Sequence, residues 1–182
     1  MCSRIQGQFE LLTSGSKKVV IALLITAIAV SACGRKSASP RASKGDVNCM
    51  ARAMYFESNR SSRDGMIAVG SVVMNRVASR DFPNSVCAVV GQKNQFAPGV
   101  LTKPMNDSGR PLAEASARAV LRGERHPNVG SARFFHAAWY KANFNNIHYV
   151  VTTGGNAFYE KRRPENVRRR TPYPNTEGVT RG

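Results

Sequence analysis

Glu57 is the residue of this sequence best placed to do chemistry, and it lies near the end of the run Cys49–Ser58. Projected on a helix, this run has one polar sector, formed by Asn48 and Arg52, while Glu57 falls on the apolar side. A carboxylate there either finds a strong partner or has its pKa raised by desolvation. A raised pKa suits a general acid near neutral pH. The residues alone leave open an ion pair, a solvent-exposed helix end and a catalytic acid.

The elements that must position Glu57 are predicted to be helices in the first half of the domain and short strands in the second. Helical periodicity and capping residues indicate helices over about residues 46–57, 66–79, 85–90 and 112–122. A long loop covers residues 91–110, and long loops in compact domains are often functional. Aromatic and β-branched runs predict strands at 132–136, 149–152 and 156–159. The predicted fold class is therefore α+β, with a small antiparallel sheet.

The N-terminus indicates export. Lys17 and Lys18 precede an apolar run at 19–30, which has the length and flanks of a signal-peptide core. The run ends in small residues before Cys33, in the manner of a bacterial lipoprotein cleavage box. We expect cleavage after residue 32 and lipid attachment to Cys33, with anchoring on the cell-wall side of a bacterial membrane. An ordinary signal peptide with an incidental cysteine, or an uncleaved anchor, remains an alternative.

Charge limits the choice of partner. The chain has 27 Lys and Arg and 11 Asp and Glu, a formal +16. Residues 1–32 hold three of those bases and one of those acids, so the mature chain would carry +14. A basic protein attracts nucleic acid, anionic lipid or acidic polymers, and export disfavours nucleic acid. Composition further predicts a basic flexible tether at 33–45, a domain at 46–160 and a disordered basic tail at 161–182.

Two cysteines are expected to pair. Cys2 would leave with the signal peptide and Cys33 would be lipidated, so Cys49 and Cys87 remain in an oxidising compartment. Two buried free thiols are the alternative. With no third cysteine and three scattered histidines, neither a metal site nor a cofactor is predicted.

Five blocks of the sequence resemble the cell wall hydrolase family typified by the spore-cortex-lytic enzymes. They are CMARAMYFE at 49–57, GMIAVGSVVMNRV at 65–77, FPNSVCAVV at 82–90, QF at 95–96 and GNAFY at 155–159. The resemblance implies a goose-lysozyme-like fold and a lytic transglycosylase that cuts peptidoglycan between N-acetylmuramic acid and N-acetylglucosamine. It also implies that Glu57 is the catalytic glutamate. Many members have a histidine where this chain has Asn156, which cannot titrate.

Substrate contacts are expected from amides and aromatic rings, and one set of residues is predicted to supply them: Asn75, Gln95, Phe96, His136, Trp139, Asn156 and Tyr159. A hydrogen-bonded role in the sheet is the favoured alternative for His136. A hydrolytic muramidase would need a second carboxylate, for which Asp64, Asp81, Asp107 and Glu114 are available, although capping is their default explanation. A non-catalytic, lipid-anchored peptidoglycan-binding module is a further alternative. The expected partners are peptidoglycan and, through the lipid, a membrane, with the protein a monomer.

Overall fold

The computed structural model describes residues 42–180. The predicted signal peptide, the expected lipidation site Cys33 and most of the predicted tether lie outside this range. Helix α1 is Lys44–Glu57, so it takes in the last residues assigned to the tether. Its N-cap is Ser43, whose hydroxyl accepts a hydrogen bond from the Asp46 amide at 3.0 Å. That bond satisfies one of the amides that the first turn of a helix leaves free.

Three further helices follow, close to the predicted positions. Helix α2 is Arg63–Val77, α3 is Val86–Val90 and α4 is Arg110–Leu121. Serine hydroxyls cap α2 and α3, while α4 has a proline in its first turn, where the missing amide costs nothing. Among residues 42–180, no helix is long and apolar enough to span a bilayer.

Helix α1 lies among the other helices and packs against α2, α3 and α4. The side chains of Met50 and Met54 are fully buried there, as is most of the apolar face of α2. The predicted disulfide is confirmed: Cys49 of α1 and Cys87 of α3 are bonded, with Cα atoms 5.2 Å apart. The helix that ends in Glu57 is therefore fixed by burial along its length and by a covalent bond two turns before its end.

The second half of the chain forms one antiparallel sheet, as predicted. Its strands are β1 (Phe134–Ala137), β2 (Ile147–Thr153) and β3 (Asn156–Lys161), in the order β1-β3-β2. Gly154 and Gly155 make the turn between β2 and β3 with φ angles of 57° and 83°, which glycine adopts without strain. The α+β prediction is confirmed.

The prediction of a disordered tail from residue 161 is wrong for the part described. A single turn of 3-10 helix, Pro164–Asn166, follows β3. The Tyr149 amide of β2 donates to the carbonyl oxygen of Arg169 at 3.1 Å, and Thr176 donates to the carbonyl oxygen of Thr152 at 2.8 Å. Residues 161–180 thus run beside β2 and form part of the domain.

A carboxylate and two amides hold the end of this segment. Glu177 accepts hydrogen bonds from the Ser62 hydroxyl at 2.5 Å and the Gly154 amide at 2.8 Å. The amides of Val179 and Thr180 each donate to Asp64 at 2.7 Å. These contacts join the start of α2 to the turn between β2 and β3.

Candidate active site

Glu57 is the last residue of α1 and its side chain is partly buried at the junction of the helices, the sheet and the loop that follows α3. Its Oε1 accepts a hydrogen bond from the Ala97 amide. Burial raises the pKa of Glu57, and the Ala97 amide and the Arg76 charge offset only part of that increase. The carboxyl group thus retains a proton to higher pH than an exposed glutamate, as a general acid requires.

The loop that reaches Glu57 is held by an arginine on the same helix. Arg52 is 9% exposed, and its Nε donates to the carbonyl oxygen of Val100 at 2.6 Å. Its Nη2 donates to the carbonyl oxygen of Lys103. The sequence projection placed Arg52 in the polar sector of α1, yet its guanidinium group fixes the loop whose Ala97 amide contacts Glu57.

Arg76 of α2 is a buried cation near the same carboxyl group. Its side chain is 3% exposed, and its Nε donates to the carbonyl oxygen of Arg133 at 2.8 Å. The guanidinium carbon lies 5.3 Å from the centre of the Phe96 ring, next along the chain to Ala97, while Nη1 has no hydrogen-bond partner among the described residues. Burial lowers the pKa of Arg76 to about 10, partly offset by Tyr159 and Glu57, so Arg76 stays charged at neutral pH.

The main chain at Glu57 is positioned by the sheet. Asn156, the first residue of β3, is 6% exposed and donates from Nδ2 to the Glu57 carbonyl oxygen at 2.5 Å. That oxygen is one of those a helix leaves without an internal partner at its C-terminus. A Cβ added at Gly65 would lie 2.4 Å from the Cα of Gly154, so both positions need glycine for the turn to approach α2.

Two more of the predicted substrate contacts, like Asn156, have hydrogen-bond partners within the domain. Asn75 donates from Nδ2 to the carbonyl oxygens of Gly130 and Ala132, both at 2.8 Å, and so holds the segment before β1. His136 contacts the Ala137 carbonyl oxygen through Nδ1 at 2.9 Å and the Tyr149 hydroxyl through Nε2 at 2.8 Å. A carbonyl oxygen only accepts, so Nδ1 carries the proton and Nε2 accepts from Tyr149 in the neutral ring. The alternative reading of His136 as a sheet residue fits this geometry.

The other predicted contacts lie around the site at different depths. Phe96 is 8% exposed, and its ring centre is 6.3 Å from that of Phe135. Its ring packs against the Arg76 guanidinium group. Gln95, next to it, is exposed. Tyr159 stacks on Phe134 with ring centres 5.6 Å apart, and burial raises the pKa of its hydroxyl group. Trp139 is almost fully exposed beyond the end of β1.

Each of the four carboxylates that a hydrolytic mechanism would draw on is bound to other groups. Asp64 accepts from Val179 and Thr180, and Asp81 pairs with Arg133 at 2.7 Å. Asp107 and Glu114 form ion pairs as well, with Arg60 at 2.5 Å and Arg110 at 2.8 Å respectively. Ion pairs and, for Asp64, hydrogen bonds from main-chain amides thus account for all four. Residues 42–180 also contain no cluster of three or more His, Cys, Asp or Glu side chains suited to a metal ion.

Sequence reasoning missed Arg52, Arg76 and Ala97 as parts of the site. Arg76 carried a signal, because it is a charged residue on a helix that is otherwise apolar on most of its surface. Ala97 carried none, because it contributes a main-chain amide and any residue other than proline has one.

Comparisons with known proteins identify the class of this domain, which combines helices with a small antiparallel sheet. Its sequence matches the profile of the family described as cell wall hydrolase over residues 60–159, more than half of the chain. The chain therefore belongs to the cell wall hydrolase family.

The spore cortex-lytic enzymes are among its relatives. The chain is 41% identical over 54 residues to that of Bacillus cereus, covering 30% of this chain and 21% of the relative. It is 34% identical over 71 residues to that of Oceanobacillus iheyensis, covering 37% of this chain and 26% of the relative. The chain thus matches about a quarter of the length of these relatives.

Two solved structures match about two thirds of this chain. One is the catalytic domain of the germination-specific lytic transglycosylase SleB of Bacillus anthracis, with a TM-score of 0.54 and 25% identity over 65% of this chain and 97% of that chain. The other is the catalytic domain of the Bacillus cereus SleB protein, with a TM-score of 0.55 and 25% identity over 70% of this chain and 99% of that chain. The lysozyme-like fold class is confirmed.

Proposed function

We propose that the protein is an enzyme that cleaves the glycan strand of peptidoglycan between N-acetylmuramic acid and N-acetylglucosamine, as a lytic transglycosylase. The observation that carries the proposal is the environment of Glu57, whose carboxyl pKa burial raises at the end of a fixed helix. One of the matched structures is the catalytic domain of a lytic transglycosylase, which supports the same reaction for this protein.

In the proposed reaction, the protonated Glu57 carboxyl donates its proton to the glycosidic oxygen as the C–O bond breaks and positive charge develops on the sugar ring. The carboxylate so formed then accepts the proton of the muramoyl C6 hydroxyl, whose oxygen bonds to C1 and closes a 1,6-anhydro ring. The Ala97 amide and the Arg76 charge stabilise the carboxylate between the two steps. The proton passes from Glu57 to the leaving sugar and returns from the attacking hydroxyl, so no net proton or water is consumed.

The surroundings of the other carboxylates favour this reaction over hydrolysis. A hydrolytic muramidase uses a second carboxylate across the cleft as base or nucleophile. The residues available for that role form ion pairs or, in the case of Asp64, accept hydrogen bonds from main-chain amides. A transglycosylase needs one carboxyl group, because the attacking hydroxyl belongs to the substrate.

Replacing Glu57 with glutamine tests the proposal. Glutamine keeps the shape and can still accept from the Ala97 amide, but it has no proton to donate at neutral pH. We expect the rate at which the protein clears a suspension of purified peptidoglycan to fall by about a hundredfold or more. Glu165→Gln, which changes an exposed carboxylate on the 3-10 turn, serves as the matched control. Parental clearance by Glu57→Gln would instead indicate a different catalytic residue, and absence of clearance by the parent protein would indicate a binding module.

We propose further that the protein is exported and attached to a bacterial membrane by a lipid on Cys33. The basic pair at 17–18, the apolar run at 19–30 and the small residues before Cys33 support this proposal. Mass spectrometry of the N-terminal peptide from membranes of the native host tests it. A diacylglyceryl group on Cys33 is expected, and an unmodified cysteine or an intact residue 1–32 segment would contradict it.

A further inference from the structure

The segment between β1 and β2, residues 138–146, exposes three large rings and is called the aromatic loop below. The exposed fractions are 82% for Trp139, 69% for Phe144 and 47% for Tyr140. Among residues 42–180, the other exposed large hydrophobic side chains are Leu101 and Tyr173. Exposed apolar surface concentrated in one short segment marks an interaction site rather than the ordinary scatter of surface side chains.

The aromatic loop is tied to the domain at both ends. At its start, the Ala138 amide donates to the Gly155 carbonyl oxygen at 2.8 Å. At its end, the Arg162 amide donates to the Asn146 carbonyl oxygen at 2.9 Å. A loop anchored in this way presents its rings without a large ordering cost on binding.

The aromatic loop continues directly from the candidate active site. Ala137, the last residue of β1, pairs in the sheet with Asn156. Asn156 in turn donates to the main chain of Glu57. The loop begins at the next residue, so its start is joined to the Glu57 main chain through Ala137 and Asn156.

Exposed arginines flank the aromatic loop. Arg170 donates from Nη1 to the Asn145 carbonyl oxygen at 3.2 Å. Arg163 and Arg168 are exposed on the same segment, which follows β3. Guanidinium groups bind carboxylates well, because their planar donors match the two carboxylate oxygens. The surface therefore combines aromatic faces with positive charge.

The amides of the loop favour a glycan over a lipid surface. Asn143 and Asn145 are exposed on either side of Phe144. Side-chain amides hydrogen-bond well to sugar hydroxyl and N-acetyl groups, whereas burying them among lipid chains would leave them without partners. Peptidoglycan offers sugar rings for the aromatic faces and stem-peptide carboxylates for the arginines, and so matches all three features of the surface.

We propose that the aromatic loop is a second contact surface for peptidoglycan, outside the cleavage site. Trp139 and Phe144 pack on sugar rings of the strand, and Arg163, Arg168 and Arg170 bind carboxylates of its stem peptides. The surface makes the protein selective for the polymer over short fragments, because only a strand longer than the cleavage site reaches it. This inference rests on the proposed function for the identity of the glycan.

Binding without cleavage tests the inference. In the full chain carrying Glu57→Gln, co-sedimentation with purified insoluble peptidoglycan gives the affinity. Adding Trp139→Ala and Phe144→Ala together is expected to weaken binding about tenfold, the usual result of removing aromatic anchors. Leu101→Ala, which removes an exposed apolar side chain outside the loop, is the matched control and is expected to change binding by less than about twofold. Unaltered thermal unfolding of the double variant shows that the fold is kept.

Binding measurements also test the role of the arginines and the alternative that the surface binds a lipid bilayer. Changing Arg163, Arg168 and Arg170 to glutamine is expected to weaken binding and to reduce its dependence on salt. Arg122→Gln, at the exposed C-cap of α4, is expected to leave both unchanged. Vesicles of phosphatidylglycerol and phosphatidylcholine measure attraction to an anionic bilayer. Parental peptidoglycan binding by the ring variant, or a loss confined to vesicle binding, would overturn the inference. Absence of cleavage by the unmodified protein would overturn the proposed function and leave this binding result standing.

Discussion

The disulfide between α1 and α3 is predicted to supply a large part of the stability of the domain. Cys49 and Cys87 are 38 residues apart, so the bond closes a long loop in the unfolded chain. In the chain-entropy model, a loop of that length is worth about 4 kcal/mol at 25 °C. A small domain gains about 5–15 kcal/mol in total from folding, so this bond is a substantial fraction. Because Glu57 lies two helical turns beyond Cys49, the same bond holds the helix that carries it.

Replacing both cysteines with serine removes the bond. Urea unfolding followed by circular dichroism is expected to show a free energy of unfolding lower by about 3–4 kcal/mol, and calorimetry a midpoint lower by about 10 °C. Reductant should lower the stability of the parent protein to the same level and leave the double variant unchanged. A loss below about 1 kcal/mol would refute the reasoning and would mean that helix packing alone fixes α1.

Four more results are expected from groups around the site. The Arg76 charge lowers the pKa of Glu57, so Arg76→Met should raise that pKa further and move the alkaline limb of the pH–activity profile to higher pH. An unmoved limb would mean that Arg76 does not act on Glu57. Arg52→Met leaves the Val100 and Lys103 carbonyl oxygens without their charged donor, so stability in urea falls by about 2 kcal/mol and activity falls with it. The pKa of Glu57 is higher in the folded protein than in the unfolded chain, so the folded state loses stability as pH rises from the unfolded pKa through the folded pKa. Glutamine does not ionise, so Glu57→Gln should unfold at a higher temperature than the parent at pH 8 and at a similar temperature at pH 4. Burial raises the pKa of Asp64, but hydrogen bonds from Thr180 and Val179 outweigh this effect and leave that pKa lowered. The stability so gained is present above the unfolded pKa and is lost as pH falls through the folded pKa. Asp64→Asn should therefore reduce stability more at pH 7 than at acid pH, and limited proteolysis at pH 7 should release the C-terminal segment.

Local pattern was enough to predict the elements and the placement of Glu57. Helical periodicity put the carboxyl group on the apolar side of α1, and the structure shows the partial burial and raised pKa that follow. The alternation of aromatic and β-branched residues located all three strands. Both inferences depend on residues within one or two turns of each other, for which sequence spacing and spatial proximity agree.

Contacts across long sequence separations could not be predicted in the same way. Arg52 projects to the polar side of α1, but the length of its side chain lets it reach the Val100 carbonyl oxygen, 48 residues away. Asn156 meets Glu57 across 99 residues. Neither partner has a distinctive residue type, because each acceptor is a main-chain carbonyl that every residue possesses.

The C-terminal segment shows the limit of reasoning from composition. Residues 161–170 are rich in arginine, and such runs are commonly solvated and disordered. Order here depends on Glu177, whose carboxylate receives Ser62 and Gly154, and on Asp64 at the start of α2. Asp64 lies more than a hundred residues before the end of the segment, and Glu177 lies just after its basic part. The charge density of residues 161–170 therefore predicted disorder wrongly.

Mass analysis of the fragments released from purified peptidoglycan tests the central claim most directly. The account predicts muropeptides ending in 1,6-anhydro-N-acetylmuramic acid, each lighter by one water than a reducing-end product, and predicts that Glu57→Gln releases about a hundredfold less of them while Glu165→Gln releases as much as the parent. Reducing-end muropeptides would contradict the single-carboxyl mechanism, and undiminished release by Glu57→Gln would contradict the role of Glu57.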